Sequence, residues 1–217
     1  MDKYSIPLEE NNFYHIYNQG NNGEKIFYND ENYAYFIIKF DKYLSEYLEL
    51  YAYCLMQNHF HLLVRTKMIE ELSKEAKEKF DIFRDGRFSK FLKLGKSGLS
   101  ANDIFSEFIS LQFRNFFISY SKSINKQTRR SGSLFRKNFK RKKIDSEQYL
   151  RQAVIYIHRN PLYHGIDTDF EHYRWSSYER ILEEKLTKLK KKQVLEWFGD
   201  KENYNNTHNI NVEDDID

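Results

Sequence analysis

The period of apolar positions changes several times along the first third of the chain. Residues 13–28, FYHIYNQGNNGEKIFY, open as a β-rich run and break at NQGNNG, which predicts a strand followed by a turn or short hairpin loop. From Asn29 the period lengthens. Phe36, Ile37, Phe40, Tyr43, Leu44 and Tyr47 recur at helical spacing behind an Asx cap, predicting a helix over 29–48. Two strands fit the next stretch, 50–56 and 59–65, meeting at a tight turn around Gln57 and Asn58.

Residues 67–104 are charged and mixed, with helix-forming pieces and a glycine-containing exit, and read as an insertion or an irregular connection. A strong amphipathic helix is expected over 105–127, with Phe108, Leu111, Gln112, Asn115, Phe116 and Ser119 spaced along its faces. Residues 129–144 start with a Ser-Gly turn and continue as a short basic hairpin or extended arm. A helix over 146–161 takes Ser146 as its N-cap and is stopped by Pro161. The end of the chain is polar and acidic and reads as a disordered tail over 201–217, leaving a single domain over 1–200. The order β-α-β-β-α-β predicts an α+β, ferredoxin-like (RRM-like) antiparallel sheet with helices on one face, plus a helical insertion and a C-terminal helix.

Composition narrows the class. Apolar residues make up 40% of the 217 positions, enough for a folded core, and only 2 Pro and 8 Gly argue against a low-complexity chain. The single cysteine, Cys54, cannot form an internal disulfide, so a reducing, cytoplasmic setting is expected. No apolar run approaches a membrane span and the first residues lack a signal core, so neither membrane insertion nor secretion is expected. The formal net charge of +3 says little, which leaves its distribution to be read.

Side chains on a strand alternate, so His59 and His61 share one face while Phe60 and Leu62 take the other. Two imidazoles so placed can grip one metal ion, although a lone H-x-H is more often a packed histidine beside an exposed one. The helix over 146–161 offers a third ligand. Tyr156 and Asn160 lie one turn apart on one face; Asn160 brings an amide oxygen suited to a divalent cation, and Tyr156 brings a phenol. With two imidazoles in the set, residue chemistry leans toward Mn2+. Tyr120 is the rival phenol, but position 124, one turn on, is Ile. His158 faces elsewhere on the helix, where packing or nucleic-acid contact is expected. The arm holds Arg129, Arg130, Arg136, Lys137, Lys140, Arg141, Lys142 and Lys143 with Phe135 and Phe139 interleaved and no acid between them, a pattern suited to phosphates and exposed bases.

Four stretches, YHIYNQGNN, CLMQNHFHLLV, NKQTRRSGSLFRKNFKRKKI and YIHRNPLYHG followed by YRWSSY, resemble in that order the single-tyrosine HUH transposases, in the branch related to the repetitive-extragenic-palindrome-associated tyrosine transposases. The resemblance implies a ferredoxin-like core that cuts and rejoins single-stranded DNA, often beside a hairpin. It implies Tyr156 as the nucleophile forming a 5′-phosphotyrosine, and His59, His61 and Asn160 as ligands of Mg2+ or Mn2+. Monomer and homodimer both stay open, since some relatives share the nucleophile helix between subunits; residues 67–104 look longer than such a core requires. Two other classes fit the residues alone: a non-catalytic module binding single-stranded DNA or RNA on the same fold, and a metal-dependent hydrolase that activates water and has no use for Tyr156.

Overall fold

The computed structural model describes residues 6–93 and 100–210. Its centre is a four-stranded sheet, β1 (Phe13–Gln19), β2 (Leu48–Met56), β3 (His59–Thr66) and β4 (Lys140–Ile144), in the order β2-β3-β1-β4 with every neighbouring pair antiparallel. With α1 (Asp30–Leu44) between β1 and β2 and α3 (Ala101–Thr128) between β3 and β4, this is the ferredoxin-like arrangement.

The first face of the sheet carries α1 and α3. Asn29 caps α1 by accepting from the Asn32 backbone N–H at 3.1 Å, and Phe36, Phe40 and Leu44, four residues apart, are buried. Phe36 is the hub, packing edge-on to Phe116 at 4.9 Å and Tyr120 at 5.2 Å and tilted on Phe60 at 5.0 Å. α3 begins four residues earlier than its apolar spacing suggests. Ser100 and Asp103 explain this: each side chain accepts from the other's backbone N–H, at 3.1 Å both ways, satisfying two end donors.

The second face is also covered. α4 (Glu147–Tyr163) lies across β2 and β3 on the side of His15 and His61, so helices occupy both faces and not one alone. Ser146 caps α4 as expected, but Pro161 does not stop it. Proline removes its own N–H donor and crowds the carbonyl of Ile157 four residues back, yet the helix continues through Tyr163 to the His164 N–H, which donates to the Asn160 carbonyl at 3.0 Å. The segment before α5 (Tyr178–Leu182) runs beside β2: the Leu55 N–H donates to the Trp175 carbonyl and the Ser177 N–H to the Tyr53 carbonyl, both at 2.9 Å, which closes that sheet edge.

Two further expectations gain detail and a third changes. The charged stretch 67–104 contains a long helix, α2 (Lys74–Lys93), whose Phe80 packs on Phe105 and Phe108 of α3; residues 94–99 of that stretch lie outside the described residues. The basic arm ends as edge strand β4, since its alternate residues can pair with β1 while a row of charges blocks further pairing. The expected tail contains α7 (Lys201–Asn209), which follows α6 (Lys191–Phe198) and is capped by Asp200. Tyr204 and His208, one turn apart, are fully buried, so two side chains anchor a helix whose other residues are polar. The remainder of that tail, 211–217, lies outside the described residues. Among the described residues no helix is long and apolar enough to cross a membrane.

Candidate active site

Strand alternation and register assemble the site. Tyr17 pairs with His61 and His15 with Leu63, so His15, Tyr17, His59 and His61 share the face under α4. Tyr17 stacks on the His61 ring at 5.4 Å, and Lys140 of β4 sits over Tyr17 at 5.5 Å. The turn below is tight: a Cβ on Gly20 would stand 1.9 Å from the Glu24 carbonyl oxygen, so only glycine brings this loop against Asn58, whose carbonyl accepts from the Gly20 N–H at 2.7 Å.

His59, His61 and His164 converge, with one ring nitrogen from each lying within 4.8 Å of the others. His59 and His61 were legible as a pair; His164 was not. It follows Tyr156 and Asn160 at intervals of four and keeps their phase because α4 runs past Pro161. The Tyr156 ring lies 5.7 Å from the rings of both His15 and His61. Asn160 is fully buried; its amide N–H donates to the Tyr156 carbonyl at 2.7 Å, and its Oδ1 has no hydrogen-bond partner.

The donor set suits a metal ion. His59 Nδ1 donates to Asn58 Oδ1 at 2.6 Å, which leaves Nε2 unprotonated, buried and without a partner. His61 Nδ1 meets His15 Nε2 at 2.8 Å, which leaves Nε2 as its open nitrogen. Burial, and then the neighbouring His164, lowers the His59 pKa to about 4; burial with His15, His59 and His164 holds His61 well below the usual range. His59 and His61 are therefore neutral near pH 7, the form that ligates. The cluster could hold a divalent metal.

Above it opens a cleft of ≈ 520 Å³ lined by the three histidines, Tyr17 and Tyr156, with Arg136, Lys137 and Lys140 on one wall. Other arm residues go elsewhere. Arg130 is paired with Glu24 and Lys143 with Glu9. Arg129 is the left-handed C-cap of α3 at φ 54°. Lys142 lies 5.2 Å from the Tyr149 ring, and Arg141 turns to the opposite face, donating to Ser110 Oγ at 2.9 Å. Of the two alternatives expected for His158, packing holds: it is fully buried between His208 and Ser177. Tyr120 is on the far face, its hydroxyl donating to the Ile26 carbonyl at 2.8 Å, and burial raises its pKa.

No protein-family model matches the chain, and no curated protein sequence matches it. Among solved structures, the chain is similar to a REP-associated tyrosine transposase bound to a REP hairpin, with a TM-score of 0.53 and 14% identity over 82% of each chain. That likeness is one of fold.

Proposed function

We propose that this chain is a metal-dependent single-stranded DNA endonuclease and strand transferase that uses Tyr156 as its nucleophile. The observation that carries the proposal is the Tyr156 ring 5.7 Å from His61, one of three converging histidines, in a cleft whose wall carries cations.

His59, His61 and His164 would hold the ion, with the buried Asn160 Oδ1 as a further oxygen donor. A bound divalent cation would polarise the phosphate oxygens and favour the phenolate. The magnesium or manganese expected from the sequence resemblance meets a nitrogen-rich set here, which favours manganese. Arg136, Lys137 and Lys140 would seat the phosphates on either side of the scissile bond. Tyr156 Oη attacks phosphorus, its bond to phosphorus forms, the bond to the 3′ oxygen breaks, and that oxygen leaves with a proton as a 3′-hydroxyl. The 5′-phosphotyrosine keeps the phosphodiester energy, so another 3′-hydroxyl can reverse the step and join a new strand. A substrate strand beside a hairpin, and either one or two copies of the chain, are compatible with a cleft that contains its own tyrosine.

The test is a denaturing gel after mixing the protein with a single-stranded hairpin library and Mn2+ or Mg2+. A protein–DNA adduct that disappears in Tyr156→Phe is expected. Tight binding with no adduct under any condition would replace this proposal with a non-catalytic binding module.

A further inference from the structure

A second groove lies on the other side of β4, outside the histidine cleft. It measures ≈ 770 Å³ and runs along α3. Arg114, Phe117, Ile118, Ser121, Lys122 and Asn125 follow one another at helical spacing and form its floor. The other wall is the segment between α3 and β4, together with Arg141.

Its chemistry is one-sided. Arg114, Lys122, Arg136, Lys137 and Arg141 line it, and no Asp or Glu does. The whole chain holds 35 basic against 32 acidic residues, so five cations without an acid is a local arrangement and not a reflection of composition. Rings stand among the charges: Phe117 and Phe139 are half-buried, 5.7 Å apart, and Ile118 is 41% exposed. Arg141 Nε and Asn125 Oδ1 are buried there without a hydrogen-bond partner. Phosphates satisfy guanidinium donors, and unpaired bases stack on rings; a duplex offers the first and hides the second.

The two spaces are joined. Asn18, Arg136, Lys137 and Asn138 line both, so the end of β1 and residues 136–138 form the sill between cleft and groove. We infer that the α3 groove is a second nucleic-acid subsite, which takes the unpaired DNA strand continuing from the phosphate held in the histidine cleft. This rests on the strand-transferase reading for its direction, but the binding it describes is measurable without cleavage.

The experiment uses the full chain and fluorescently labelled oligothymidylates of increasing length, with binding followed by fluorescence anisotropy across a salt series. The variant is Arg114→Glu with Lys122→Glu, both exposed on α3 and neither in the histidine cleft. Wild type should gain affinity as the oligonucleotide grows beyond what the cleft holds. The variant should bind the shortest oligonucleotide as wild type does, lose most of the gain with length, and show a salt slope smaller by about 1.4, the value for two lost phosphate contacts on a single strand. Arg114→Gln with Lys122→Gln should lose part of the gain, and an equal melting temperature in each variant establishes that the fold is kept. Equal affinity and slope for the long oligonucleotide in wild type and the charge-reversed variant would overturn the inference, as would equal competition by a blunt duplex. Loss of the length gain with no adduct on any substrate would leave the subsite standing and remove the catalytic reading; an adduct with no effect of the variant would do the reverse.

Discussion

His15 Nε2 and His61 Nδ1 meet at 2.8 Å in the floor of the cleft, with their rings stacked 5.0 Å apart. Burial lowers the His15 pKa to about 3 and holds His61 well below its usual range, so one neutral imidazole donates to the other. When His61 is the donor, its Nε2 lone pair is fixed toward His59 and His164. His15 therefore acts through His61. His15→Ala should lower Mn2+ affinity by about 10–100-fold, the usual cost of losing a partner that orients a ligating histidine. Calorimetric titration with Mn2+ reads this directly, and unchanged affinity would show that His61 needs no orientation from His15.

His164 is exposed, so removing it leaves no buried group without a partner. His164→Ala should change metal-free stability by no more than about 0.5 kcal/mol, as for an ordinary surface substitution. It should nonetheless weaken Mn2+ binding at least as much as Asn160→Ala does, because it removes a nitrogen donor from the converging set. Metal titrations and chemical melts of both variants compare the two. If Asn160→Ala abolishes binding and His164→Ala leaves it intact, the amide and not the imidazole is the third ligand.

The site was partly legible because some of its geometry is local. His59 and His61 share a face by strand alternation, and Tyr156 and Asn160 by helical spacing, so each pair could be read from the chain. His164 belongs to the same helical face but stands beyond Pro161, where a helix stop was the natural reading; the proline costs one donor and the helix runs on. His15 was illegible for a different reason. Its meeting with His61 depends on the β1–β3 register, which places Tyr17 opposite His61, and register is a property of two strands together. The helix at Lys201–Asn209 was hidden by its composition, since only Tyr204 and His208 face the core.

That helix supplies a pH prediction. His208 Nε2 lies 2.9 Å from His158 Nδ1, and His158 Nε2 lies 2.7 Å from Ser177 Oγ. Tyr178, Phe198, Phe170 and Tyr204 surround His208, and Arg159 of α4 adds positive charge nearby. Burial, despite the hydrogen bond to the Tyr204 carbonyl, lowers the His208 pKa to about 4; burial and His208 hold His158 well below its ordinary value. Both are neutral in the fold and titrate near 6.5 once unfolded, so the unfolded chain takes up more protons as the pH drops. Their stabilisation is complete above about pH 6.5 and declines progressively from there toward pH 4. The melting temperature should therefore fall across this window, and His208→Phe should flatten the fall. A melting temperature independent of pH between these limits would contradict the neutral pair.

Two phenols on two helices allow stability and chemistry to be separated. The Tyr120 hydroxyl donates to the Ile26 carbonyl from a fully buried position on the face opposite the histidines, whereas the Tyr156 ring borders His15 and His61 in the cleft. Tyr120→Phe keeps the ring and leaves a buried carbonyl short of a donor, so it should cost about 1–3 kcal/mol in a urea melt. It should leave the DNA adduct intact, because nothing in the cleft changes. Tyr156→Phe should do the opposite, removing the adduct while single-strand binding persists and the melt moves far less. The pair of variants controls for a damaged fold: a destabilised Tyr120→Phe that still forms adduct shows that lost stability alone does not abolish the reaction. An adduct that vanishes in Tyr120→Phe and survives in Tyr156→Phe would reverse the assignment, and would require the buried phenol to reach DNA through an opening of α1 and α3.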